Sequence, residues 1–155
     1  MFDTPADTPW IWIGLTIATT VMFGVVVGLP AAAPNAERAA TAIENVAASD
    51  HPGEASVQLR AEEIRLLPER IALRGPGGRA QASIRYGPVT PVPPESILAR
   101  VLQGQSPERI YRSPSSFRLA LETARQRTHR WRPAGNNLRI RYVQFGEVNG
   151  VLVGA

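Results

Sequence analysis

The hydrophobic pattern changes period several times along the chain. Residues 10–29, WIWIGLTIATTVMFGVVVGL, carry no charge and show no polar face at any helical period. From residue 35 apolar positions recur in threes and fours, then in twos, then in threes and fours again, and the chain closes on a period of two. At about 1.5 Å of rise per residue, the twenty residues of the first run span roughly 30 Å as a helix, the hydrocarbon thickness of a bilayer. Ten of them are Ile, Leu, Val or Phe, the residues that favour insertion. Trp10 and Trp12 suit the water–lipid boundary, and Pro9 and Pro30 bracket the run. The pattern predicts a transmembrane helix over 10–29 behind a short tail, 1–9.

Beyond Pro30 a Pro/Ala linker leads to Asn35, placed to cap a helix with Ala39, Ile43, Val46 and Ala47 on one face. Residues 30–53 therefore read as a linker and a short helix, which either packs on the domain behind it or stands as a stalk. The period of two then sets Val57 and Leu59, Ile64 and Leu66, and Ile71 and Leu73 on strands, with GPGG (75–78) as a hairpin loop. GPVTPVPP comes next as a stiff, extended connector. Residues 95–103 predict a helix, with Ile97, Leu98, Val101 and Leu102 inward, ending at Gly104. A second is predicted from Ser113 as N-cap and Pro114 at the first helical position, with the stripe Phe117, Leu121, Ala124. Leu138, Ile140 and Tyr142 alternate with arginines on a strand, and Asn149-Gly150 offers a type I′ turn into Val151–Val153. The expected fold is α+β: an N-terminal transmembrane helix, then one small domain (54–155) with β-hairpins and two or three short helices.

Composition narrows the chemistry. The chain has no Cys, which excludes disulfides, thiol nucleophiles and thiolate metal sites. Its two His, His51 and His129, stand far apart with no carboxylate at ligand spacing, and Glu62, Glu63 and Glu69 form no acid/base pair with a nucleophile. No cofactor, metal or catalytic residue is implied, and an enzyme is not expected. All seventeen basic residues are Arg, and the positive charge behind the chain's net +4 arises entirely after the apolar run, since the tail holds only Asp3 and Asp7. That acidic tail argues against a cleaved signal peptide, although AAA at 31–33 offers small residues for cleavage. The expected location is the cell membrane, crossed once.

Two sets of residues are candidates for binding. Thr16, Thr20, Gly24 and Gly28 fall every fourth residue and predict a helix-contact stripe through which the span meets another membrane protein or a second copy. Arg125, Arg127, Arg130 and Arg132 surround Trp131 in the densest basic run, the composition of a polyanion-binding segment. The competing account is a helix C-terminus whose cations complement the dipole, with Trp131 folded inward. Nucleic acid is the less expected polyanion, because no recognised nucleic-acid module surrounds the run.

Five stretches taken together, MFDTP with the apolar run behind it, AEEIRLLPERIALRGPGGRAQASIRYGPVTPVPP, SPSSFRLALETARQR and WRPAGNNLRIRYV, resemble a small family of haloarchaeal membrane proteins of unknown function. That resemblance implies association with type IV pilus-like or secretion machinery, hence a cell-envelope partner, and supplies no catalytic residues. The chain departs from it in being basic rather than acidic, and from a pilin in having no Lys or Arg before Trp10. Arg38 close behind the span points to a cytoplasmic domain by the positive-inside bias, whereas membership of envelope machinery points outward.

Overall fold

The computed structural model describes residues 32–49 and 51–155. The segment 10–29, with Thr16, Thr20, Gly24 and Gly28, lies outside them. Among the described residues no helix is long and apolar enough to cross a membrane.

The described chain runs α1 (Ala36–Ala47), β1 (Glu54–Gln58), β2 (Glu63–Leu67), β3 (Arg70–Gly75), β4 (Gly78–Ser83), β5 (Thr90–Pro91), α2 (Ile97–Leu102), α3 (Pro107–Ile110), α4 (Pro114–Gln126), β6 (Arg132–Pro133), β7 (Asn137–Phe145) and β8 (Val148–Gly154). This is a small α+β fold with two four-stranded sheets, ordered β1-β7-β8-β5 and β4-β3-β2-β6. The period-two stretches are strands: Ile64 and Leu66 pair across to Leu73 and Ile71, all four buried. The chain reverses at Pro76–Gly77, between Gly75 and Gly78, where GPGG predicts a hairpin.

Strand alternation places one core on each face of the first sheet. Leu138, Ile140, Val151 and Val153 face a core closed by α1 and the second sheet, with Ile43, Ile64, Ile71 and Leu73. Val143, Val148 and Leu152 face a second core under α2, α3 and α4, centred on Phe117, Val101 and Leu121. Helix α1 thus packs on the domain rather than standing as a stalk, burying Ala36, Ala39, Ala40, Ile43 and Val46. Four of the five are Ala or Val, so the helix backbone comes close to the strands.

Several local expectations are revised. Asn35 stands at the N-cap of α1 but makes no cap bond. Its Nδ2 instead donates to the Gln58 carbonyl at 2.9 Å, and its Oδ1 accepts from the Arg60 amide at 3.1 Å. The side chain serves as one more rung beside β1, because the tertiary fold brings a strand end within its reach. The turn falls at Gly146–Glu147, not Asn149-Gly150, which lies inside β8. A turn at Asn149-Gly150 would set Glu147 opposite Leu152, a side chain with no exposure. At Gly146 φ is +59°, the first position of a type II′ turn, which glycine supplies without strain. Ile97 is 61% exposed rather than buried, since α2 starts there and turns its inward face through Leu98, Ala99, Val101 and Leu102. The connector 87–94 contributes a parallel strand, Thr90 and Pro91 pairing with Leu152 and Val153.

Helix α4 forms as its sequence predicts. Ser113 Oγ accepts from the Ser116 amide and Ser116 Oγ from the Ser113 amide, both at 3.3 Å, with Pro114 in the first turn. Phe117, Leu121 and Ala124 are its buried face.

Candidate binding surfaces

Helices α2 and α4 do not close over one another. Between them lies a mostly apolar groove of about 500 Å³, lined by Pro93, Leu98, Tyr111, Ala120 and Ala124, with Ile97 and Leu119 on its rim. Leu119 is 64% exposed, so two large aliphatic side chains in helical positions face solvent together at one concave site. Tyr111 stacks obliquely on Phe117 at 5.3 Å between centroids, and burial raises its phenol pKa. The floor of the groove is thereby fixed by the core beneath it. Periodicity alone assigns Ile97 to the core; its position at the very start of α2 is what leaves it outside.

The groove passes at Pro93, Glu95 and Arg127 into a second depression of about 560 Å³ under the segment 128–133. Here the basic run divides. Arg125 is half-buried, and its Nε donates to Thr90 Oγ1 at 2.9 Å. Thr90 has no exposure and is the buried polar side chain among the described residues. Arg132 donates through both terminal nitrogens to the Val92 carbonyl at 3.3 Å. Desolvation lowers the pKa of both guanidiniums, opposed by Glu122 at Arg125 and Glu95 at Arg132. Arg125 and Arg132 therefore tie α4 and β6 to the β5 segment, while Arg127 and Arg130 are exposed.

Trp131 is neither free nor in the core. It is half-buried, with the Arg74 guanidinium 5.1 Å from its ring centroid, and Arg74 is in turn paired with Glu63. The His129 Nε2 donates to the Arg125 carbonyl at 3.2 Å, closing the turn after α4. A further arginine that sequence reasoning passes over, Arg141, donates to the Val101 and Gln105 carbonyls and so caps the end of α2. Its alternation on β7 signals a surface position, and only the packed helix shows the partner.

Among the described residues no three His, Asp or Glu side chains are grouped to hold a metal ion. The arrangement offers surfaces for binding: a groove, and an arginine-bearing end. A model described as a family of unknown function, DUF7283, matches residues 3–143. The chain belongs to this family. No curated protein and no solved structure matches it. The DUF7283 match takes in the apolar run at 10–29, both walls of the groove and the whole arginine run, and ends within β7.

Proposed function

We propose that this protein is a membrane-anchored assembly component of the cell envelope, whose domain docks a protein partner in the groove between α2 and α4. The observation that carries the docking is the exposure of Ile97 and Leu119 together on the rim of an apolar groove. Fully burying two such side chains is worth roughly 1.5–3 kcal/mol each. Helix-in-groove recognition uses such sites, taking apolar anchors spaced three or four residues apart on the incoming segment. The anchor rests on the twenty uncharged residues 10–29. The stripe Thr16, Thr20, Gly24 and Gly28 would let a second helix approach closely within the bilayer. Resemblance to haloarchaeal membrane proteins of pilus-like or secretion clusters favours an envelope partner and a domain on the outer side.

Photo-crosslinkers placed at Ile97 and Leu119, with Tyr86 as an exposed control, test this in cells. The expected result is a discrete adduct from the groove positions alone, abolished by Leu119→Asp when the crosslinker is at Ile97. Equal labelling from all three positions, or none, overturns the docking. Alkaline carbonate extraction and protease accessibility of a C-terminal tag in intact cells test the anchor and its orientation.

A second reading, a tethered module for polyanions, is favoured by Arg127 and Arg130 standing exposed beside a half-buried Trp131. Of the four arginines in the run, Arg125 and Arg132 are the two whose side chains hydrogen-bond to the fold among the described residues.

A further inference from the structure

The chain enters the folded unit at Asn35, and hydrogen bonds fix which end of the domain this is. Asn35 is bound to Gln58 and Arg60; the Leu59 amide donates to the Asn136 carbonyl at 2.8 Å, and the Ala134 amide to the Glu62 carbonyl at 2.8 Å. Gly75, at the base of the β3–β4 hairpin, lies against Ala61 and Arg60. One end of the domain therefore collects Asn35, the 60–62 bend, the hairpin tip at 76–79 and the segment 130–136.

The charge at this end is uneven. Arg60, Arg79 and Arg130 are exposed, Arg127 lines the same depression as Arg130, and Trp131 is half-buried against the Arg74 guanidinium. Of the acidic groups nearby, Glu63 is held by Arg74. Glu62 is exposed, and Glu37 shares the first turn of α1 with Arg38. A span ending at Leu29 leaves five residues, 30–34, before Asn35, so extended chain carries Asn35 at most about 20 Å from Leu29. Guanidinium groups pair bidentately with phosphate, and Trp is the residue of the headgroup layer.

We infer that the end of the domain bearing Arg60, Arg79, Arg130 and Trp131 docks on the anionic phosphates of the lipid surface beside the anchor. This rests on the anchored reading of the chain. Docking would hold the domain in one orientation and turn the groove between α2 and α4 in a fixed direction for its partner. Each arginine near a negative lipid surface contributes about fivefold to binding. A triple Arg60→Gln, Arg79→Gln, Arg130→Gln variant should lower the docked-to-undocked ratio by roughly 100-fold. Salt should do the same, since the screening length falls from about 8 Å at 0.15 M to about 3 Å at 1 M.

The test uses the full chain with phosphatidylcholine vesicles and with vesicles containing phosphatidylglycerol, read by flotation and by amide hydrogen exchange. The expected result is flotation with both, and slowed exchange at 60–62, 75–79 and 128–136 with phosphatidylglycerol alone. The triple variant should lose that protection, whereas Arg109→Gln, Arg112→Gln, Arg118→Gln, which removes the same charge from α3, α4 and the bend between them, should keep it. Flotation with both lipids and no lipid-dependent protection overturns the docking and leaves the anchor standing. Arginine-dependent flotation with phosphatidylglycerol alone overturns the anchor and upholds the docking; flotation with neither overturns both. Protection by a single-stranded polynucleotide in detergent, without protection by phosphatidylglycerol, overturns it in favour of nucleic acid.

Discussion

Arg125 and Arg127 are two residues apart at the end of α4, yet the structure gives them opposite duties, and substitution separates these. Replacing Arg125 by Met keeps most of the aliphatic stem and removes the Nε donor, leaving Thr90 Oγ1 buried without the partner it has at 2.9 Å. An unsatisfied buried hydroxyl costs about 1–3 kcal/mol. With a urea m-value of about 2 kcal/mol per molar, the midpoint should fall by roughly 0.5–1.5 M. Arg127→Met at an exposed site should stay within about 0.5 kcal/mol. Thr90→Val alone strands the guanidinium in a half-buried place and should also destabilise, while the double variant removes donor and acceptor together. The double should therefore recover part of the loss, with a coupling of about 0.5–3 kcal/mol. The full chain in mild detergent serves as the sample, with Trp10→Phe and Trp12→Phe so that Trp131 alone reports unfolding. Equal midpoints for Arg125→Met and Arg127→Met, or strict additivity in the cycle, would refute the assignment of Arg125 to the scaffold.

Further expectations arise from the same packing. Gly154→Val should cost about 1–3 kcal/mol, because the first added carbon already lies 2.7 Å from Leu102 Cδ2 and 3.2 Å from the Val92 carbonyl; thermal unfolding measures it. Phe117→Ala empties a site with no exposure beneath Tyr111 and Phe145 and should cost about 3–5 kcal/mol, enough to unfold the domain in a urea series. Tyr111 has its pKa raised by burial above 10.0, so the stability it contributes is present below that pH and is lost as pH rises through the folded value. Tyr111→Phe should flatten that alkaline loss, seen as a smaller fall in urea midpoint between neutral and strongly alkaline buffer. Asn35→Ala removes both bonds to the β1 end and should cost about 1–2 kcal/mol while raising amide exchange at Arg60.

Period and caps determined by themselves what is local in this protein. The alternation Ile64, Leu66 and Ile71, Leu73 makes strands because side chains two apart share a face, and Ser113-Pro114 starts α4 because both cap bonds close within four residues. The stripe Phe117, Leu121, Ala124 is buried as its spacing requires. Partners distant in sequence were decided by the tertiary structure. Strand β1 pairs with β7, Val57 opposite Leu138, and nothing near Val57 names that strand. The β7–β8 turn comes at Gly146 instead of the better turn dipeptide at Asn149-Gly150, because the register that buries Leu152 outweighs a local preference. The basic run is uniform as sequence, and only the positions of Thr90 and Val92 divide it into two arginines that hold the fold and two that face solvent. A side chain's local conformation depends on its neighbours in the chain, but its hydrogen-bond partner depends on which surface the rest of the molecule brings to it.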